Sequence, residues 1–307
     1  PCYLFGNQKH ALPALVSFNY RAGSTSLTDP FLPLPADGGS PYDDANNDVA
    51  GIQKHPIEAD VNEIGTTNGL AYQRAENVIF AGAFMKRHSG FGPNGTGAIY
   101  RIDRDGDTVS VYADLNAIFG ANTAGADPHD GTALTDPAEI IEYYIHDPSF
   151  DQVGKISLGD IEITEDEAYL YTVNLNDKML YRIPVLNEAS PAFTTADIAR
   201  FALPSPAGCA VGDVRPFGLG VQDGVLYAGM VCSAQSTQQA SDMRAYVYAF
   251  DGSSFDGTPV IDFALNYPRA CTDRIPGNED CGTQVDNKEA DWNPWVGTFG
   301  DLLVKSG

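Results

Sequence analysis

Positive charge is scarce in this chain. Its 307 residues hold 18 Lys and Arg against 41 Asp and Glu, a net charge of −23. A surface of that sign repels polyphosphate and anionic lipid, so nucleic acid is excluded as a partner. No run of about 18 apolar residues occurs, which excludes insertion of a membrane-spanning helix. Helical periodicity is nearly missing as well. Asp136–Tyr144 is the one segment that reads as a helix of more than two turns, with Asp136-Pro137 to start it. There is no C-x-x-C pair, no P-loop, no G-x-G-x-x-G after a strand and no G-x-S-x-G elbow. Zinc knuckles, nucleotide sites and hydrolase elbows of those kinds are therefore unsupported. His10, His55, His129 and His146 stand singly, without metal-ligand spacing. The opening Pro1-Cys2-Tyr3-Leu4-Phe5 has neither the basic nor the apolar part of a leader peptide.

What is present is a strongly acidic, 43% hydrophobic chain, enough to bury a substantial core. The acidity suits a secreted protein, either for solubility or for binding divalent cations. Five cysteines occur, at Cys2, Cys209, Cys232, Cys271 and Cys281. In an oxidising compartment Cys209–Cys232 and Cys271–Cys281 are the expected disulfides, which leaves Cys2 for a partner upstream; the alternative is five buried thiols.

An internal repeat sets the fold class. Gly69-Leu70-Ala71-Tyr72 leads through a turn to Val78-Ile79-Phe80-Ala81-Gly82. Asp160-Ile161-Glu162-Ile163 leads likewise to Tyr169-Leu170-Tyr171-Thr172-Val173, and Gly218-Leu219-Gly220-Val221 to Val225-Leu226-Tyr227-Ala228-Gly229. Each copy precedes a second strand pair: 98–103 with 109–115, 179–185 with 199–203, and 245–251 with 260–265. Four short hairpin-linked strands with a small-residue first strand are a propeller blade. The expectation is an all-β chain forming a single β-propeller domain over 1–307. Its four-stranded antiparallel blades lie at about 69–115, 160–203 and 216–265. Three blades are fewer than closure requires, so the propeller is expected to be incomplete in this chain.

Several segments carry a family resemblance. They are Cys2–Gly6 leading to Leu15–Tyr20, Gly69–Arg74 followed by Ala83–Pro93, Val153–Ile163, Arg215–Gly218, Met243–Tyr248 and Asn266–Arg269. Together they resemble the propeller-like region of large bacterial cell-surface, adhesin-like proteins that also carry SdrD-type B domains. The resemblance implies an extracellular, cell-surface location, an architecture of linked domains, and further propeller sequence on both sides.

Candidate sites follow from residue chemistry. Asp103-Arg104-Asp105-Gly106-Asp107 opens like a calcium loop, with Asp114 in the twelfth place, but it lacks the glycine at the sixth; a hairpin turn is the alternative. Asp43, Asp44 and Asp48 offer clustered hard oxygens, again suited to Ca²⁺ or simply to water. Asn68, Asp160 and Arg215, just before the inner strands, are expected to point to the propeller axis. The first two suit a cation, as in gluconolactonase-type hydrolases, whereas Arg215 suits an ion pair with Asp160. Lys86-Arg87-His88 form a basic loop fit to pair with a neighbouring blade or to recognise an acidic partner. A catalytic His–Ser pair with Ser89 is the weaker alternative there. Asn94-Gly95-Thr96 is a formal glycosylation sequon.

The function these features imply is a structural or adhesive extracellular module. Its expected partners are other domains of the same polypeptide, a glycan or protein ligand, or further copies of itself. The competing expectations are a Ca²⁺-dependent propeller hydrolase and a ligand-binding propeller that uses the insertions at 84–97 and 119–136.

Overall fold

The computed structural model describes residues 13–17, 57–87, 89–129, 147–267 and 292–306. Asp43, Asp44, Asp48, His88, Cys2, Cys271, Cys281 and the expected helix at 136–144 lie outside them.

The described chain is all-β and built of propeller blades. Blade 1 is β3 (Thr67–Gln73), β4 (Val78–Ala83), β5 (Ala98–Asp103) and β6 (Thr108–Asp114). Blade 2 is β7 (Leu158–Ile163), β8 (Tyr169–Asn174), β9 (Met179–Pro184) and β10 (Ala199–Ala202). Blade 3 is β11 (Val214–Gln222), β12 (Val225–Cys232), β13 (Arg244–Phe250) and β14 (Ile261–Ala264). Each is a meander of antiparallel strands in chain order. The β-branched and aromatic runs Val78–Phe80, Tyr169–Val173 and Val225–Tyr227 become the second strands, because such side chains fill a sheet buried on both faces. The turns fall where Asn77, Glu167 and Asp223 adopt left-handed backbone.

The inner strands β3, β7 and β11 stand side by side. Each carries the same bulge. Two steps of register on the second strand oppose three on the first: Thr67 to Leu70 against Ala83 to Ala81, Leu158 to Ile161 against Asn174 to Thr172, and Pro216 to Leu219 against Met230 to Ala228. The extra residue bends the strand beside the axis. The bulge corrects one expectation. Asn68 is equivalent to Gly159 and Phe217, Asp160 to Gly69 and Gly218, and Arg215 to Thr66 and Ser157, so the three do not form one ring.

Blades pack face to face. Phe80, Ile99 and Tyr112 of blade 1 meet Leu158, Ile161, Leu170 and Tyr181 of blade 2. Tyr171, Val173 and Leu180 of blade 2 meet Leu226 and Phe250 of blade 3. Burying a side chain of this size stabilises by roughly 1.5–3 kcal/mol, so these two layers are the main cohesion of the molecule.

A fourth unit precedes blade 1. β1 (Pro13–Val16) pairs antiparallel with β2 (Ile57–Asp60), and α1 (Val61–Ile64) follows. Asp60 caps α1 by accepting from the Asn62 and Glu63 amides. After β6, Asp114 caps α2 (Leu115–Phe119) by accepting from Asn116 and Ala117 in the same way. The sequences repeat too, Ala59-Asp60-Val61-Asn62-Glu63-Ile64 against Ala113-Asp114-Leu115-Asn116-Ala117-Ile118. Glu58 of β2 reaches Arg104, in the turn between the outer strands of blade 1, just as Ser110 of β6 reaches Ala189 after β9. β1 and β2 thus stand to blade 1 as β5 and β6 stand to blade 2. They are the outer half of another blade, with Ala14, Leu15, Ala59 and Ile64 packed on Met85, Phe91 and Tyr100.

Candidate functional site

Loops from the blade end where the second strands finish converge on two linked polar clusters. In the first, the Arg87 guanidinium lies 2.9 Å from Asp147, whose side chain has no solvent exposure. The Ser149 hydroxyl is 2.6 Å from both Asp147 oxygens, and the Ser149 amide donates to the same carboxylate at 2.8 Å. The guanidinium also sits over the Phe150 and Phe299 rings, 5.3 and 4.6 Å from their centres, a cation–π arrangement. Phe299 belongs to the C-terminal helix α3 (Phe299–Ser306). In the second cluster, Asp151 accepts from Lys155 at 2.5 Å, Gln235 at 3.0 Å and the Trp295 indole at 3.1 Å. Trp295 stacks on Phe150 and so joins the two clusters.

His129 closes the network from the loop after α2. One ring nitrogen lies 2.7 Å from Asp127 and the other 3.0 Å from the Lys86 carbonyl. Burial opposes its charging, but the Asp127 carboxylate, the Lys86 carbonyl and the field of Asp147 prevail and hold its pKa above the ordinary value. Both nitrogens facing acceptors suits an imidazolium that donates twice. The Lys86 amine is pushed down by burial. Arg87, Asp147, Asp151, Lys155 and His129 all find partners within the network, and such pairing fixes loops in place.

The other expected site residues are scattered. Asp103 accepts from the Gly106 and Asp105 amides on one oxygen and from Arg101 on the other. Asp105 accepts from Asn77, and Asp107 takes left-handed backbone. This acidic run is therefore the hairpin turn between β5 and β6. Among the described residues no three His, Cys, Asp or Glu side chains are grouped to hold a metal. Asn68 is exposed on its bulge. Asp160 and Arg215 do not pair. Asp160 accepts from its neighbour Ile161 at 3.0 Å and from the Leu219 amide of blade 3 at 3.1 Å. Arg215 donates to the Val214 carbonyl and to Gln235. The strand register explains this, because Asp160 is level with Gly218 of blade 3, three residues along from Arg215. Cys209 and Cys232 form a disulfide that ties the loop before β11 to the end of β12.

The sequence reading missed Asp147, Ser149, Asp151 and Trp295. Asp147 lies 60 residues from Arg87 and Trp295 lies 144 from Asp151, so no local spacing could join them. The helix pattern Asp60-Val61-Asn62 and Asp114-Leu115-Asn116 was a visible signal for the fourth unit.

No family model matches the chain. It is similar to colossins of Dictyostelium discoideum: 31% identical to colossin-D over 68% of this chain and 20% of that protein, and 28% identical to colossin-A over 76% and 2%. Colossin-B is 22% identical over 87% of this chain and 6% of its own length. The chain spans a fifth or less of these relatives. They are eukaryotic proteins, which overturns the resemblance to bacterial adhesin-like proteins with SdrD-type B domains. Among solved structures, an oxidoreductase (glucose dehydrogenase) of Thermus thermophilus superposes with a TM-score of 0.26 at 12% identity, covering 59% of this chain and 42% of that one. That likeness is too low to carry an argument.

Proposed function

We propose that the chain is a non-catalytic, extracellular propeller module that serves as a rigid structural or adhesive unit within a larger assembly. The observation that carries this reading is the use made of its charged side chains at the loop end of the blades. Arg87, Asp147, Asp151, Lys155 and His129 bond to one another and to backbone, which stabilises position but leaves no activated nucleophile among them. The disulfide supports an oxidising compartment. Among the described residues no helix is long and apolar enough to cross a membrane.

The reading is tested by assaying the purified chain, with and without Ca²⁺, on lactone and phosphoester panels beside its Asp160→Ala variant. No turnover above background in either protein is the expected result. Turnover by the parent that disappears in the variant would overturn the proposal in favour of a metal-dependent hydrolase.

A further inference from the structure

Asn94-Gly95-Thr96 is the only Asn-x-Ser/Thr triplet in the 307 residues. It lies in the insertion between β4 and β5, where an exposed turn leads into a single 3₁₀ turn at Gly95–Gly97. Asn94 is exposed and takes left-handed backbone, with φ of 68°. Gly95 adds no side chain beside it, and the place of its missing Cβ is open, with no heavy atom beyond its chain neighbours within 4 Å.

The turn is held on both sides while the Asn94 amide stays available. The Tyr100 hydroxyl donates to the Pro93 carbonyl at 2.5 Å, and the Gly95 amide to the Gly92 carbonyl at 3.2 Å. The Thr96 hydroxyl donates to the Gly125 carbonyl at 2.7 Å and accepts from Asn116 at 2.9 Å. Nδ2 of Asn94 donates to Asp114 at 3.0 Å. An amide nitrogen carries two hydrogens, and the second has no acceptor among the described residues. One hydrogen can therefore be replaced while the other keeps the Asp114 bond. The opposite Asp114 oxygen caps α2 by accepting from Asn116 and Ala117, so substitution at Nδ2 leaves that helix start in place. Burial of the Thr96 hydroxyl is no obstacle, because such triplets are read on the chain before it folds. Two further observations favour a sugar over a bare amide. The colossins similar to this chain are proteins of a eukaryote. The Cys209–Cys232 disulfide fits the oxidising lumen in which such attachment occurs.

We infer that Asn94 is an N-glycosylation site, carrying an oligosaccharide whose first sugar is N-acetylglucosamine. The bond formed joins Nδ2 to C1 of that sugar. The bond broken joins C1 to the pyrophosphate of a lipid-linked oligosaccharide donor, and the lipid pyrophosphate leaves with the amide proton. The inference rests on the extracellular reading, because the donor faces the secretory lumen. The sugar stands on a fixed base at the exposed turn of the 84–97 insertion, so a partner approaching this turn meets carbohydrate first.

Peptide mapping of the polypeptide purified from its natural source tests this. A glycan-releasing amidase acting in heavy-oxygen water turns a glycosylated Asn into labelled Asp. Most copies of the peptide containing Asn94 are expected to carry hexose and N-acetylhexosamine, to lose that whole mass on treatment, and to gain the label at that position. Differential alkylation of Cys209 and Cys232 in the same sample reports the compartment independently. Bare Asn94 with the disulfide formed would overturn the inference and leave the extracellular reading standing. Bare Asn94 with both thiols free would overturn the two together. Aspartate appearing at this position without the amidase, on copies free of sugar, would also overturn the inference, since Asn94-Gly95 would then be a site of spontaneous deamidation.

Discussion

At the scale of single residues, Asp160 does structural work that its composition disguises. It sits at the bulge of β7 and lends one oxygen to the Leu219 amide of the next blade. Asp160→Ala strands that donor at a partly buried position, so a loss of about 1–3 kcal/mol is expected. Urea unfolding should show it as a lower midpoint with an unchanged slope. His129 gives a pH signature. Its folded pKa is raised above the ordinary 6.5 of the unfolded chain, so its stabilisation is complete below that value and is lost as pH rises through the folded pKa. The stability gap between the parent chain and His129→Gln is accordingly expected to narrow as pH is raised above neutrality; a gap that widens would refute the assignment of charge. Neither role was legible beforehand. A carboxylate before an inner strand reads equally as a metal ligand, an ion-pair partner or a backbone acceptor, and the bulge that decides among them leaves no mark in composition. Arg87 was legible as a cation in need of a partner, but Asp147 became that partner only through long-range folding.

At the scale of elements, the blades were legible because their second strands repeat a short β-branched and aromatic run with turns on either side, and such runs have no alternative use in a chain without helical periodicity. The half-blade was not, because β1 and β2 are separated by residues 17–56 and only the Asp-x-Asn helix start betrays their kinship to β5 and β6. Close approach of the inner strands depends on small residues at the bulge. A Cβ on Gly69 would fall 2.5 Å from the Ile161 nitrogen and 2.8 Å from the Asp160 carbonyl carbon, both backbone atoms that cannot step aside. Gly69→Ala is expected to cost about 2 kcal/mol or more through overpacking. At Gly95, with φ of +65° and no heavy atom within 4 Å of a new Cβ, alanine is expected to cost only the ~1 kcal/mol of its strained backbone. Thermal melts of the two variants side by side should separate packing from conformation. The Cys209–Cys232 link spans 23 residues, so its removal by paired serine substitution is expected to lower stability by about 3 kcal/mol on chain-entropy grounds.

At the scale of the whole molecule, the net charge of −23 is repulsion that the fold must overcome. Raising NaCl from about 0.02 to 0.2 M shortens the screening length to under about 10 Å, and the melting temperature is expected to rise. A fall would mean that the ion pairs of the loop clusters outweigh the general repulsion. Cohesion along the molecule is between neighbours: blade 1 touches blade 2 and blade 2 touches blade 3 through separate apolar layers. The chain between consecutive blades is free to vary under that arrangement. It takes residues 115–157 to pass from blade 1 to blade 2, but only 203–213 to pass from blade 2 to blade 3. The long crossing supplies Asp127, His129, Asp147 and Asp151, nearly all the chemistry of the loop clusters, and the short one supplies Cys209 of the disulfide. Crossings of this kind are exchangeable cartridges on a repeating frame, where an engineer can graft new sequences without retooling a single spoke.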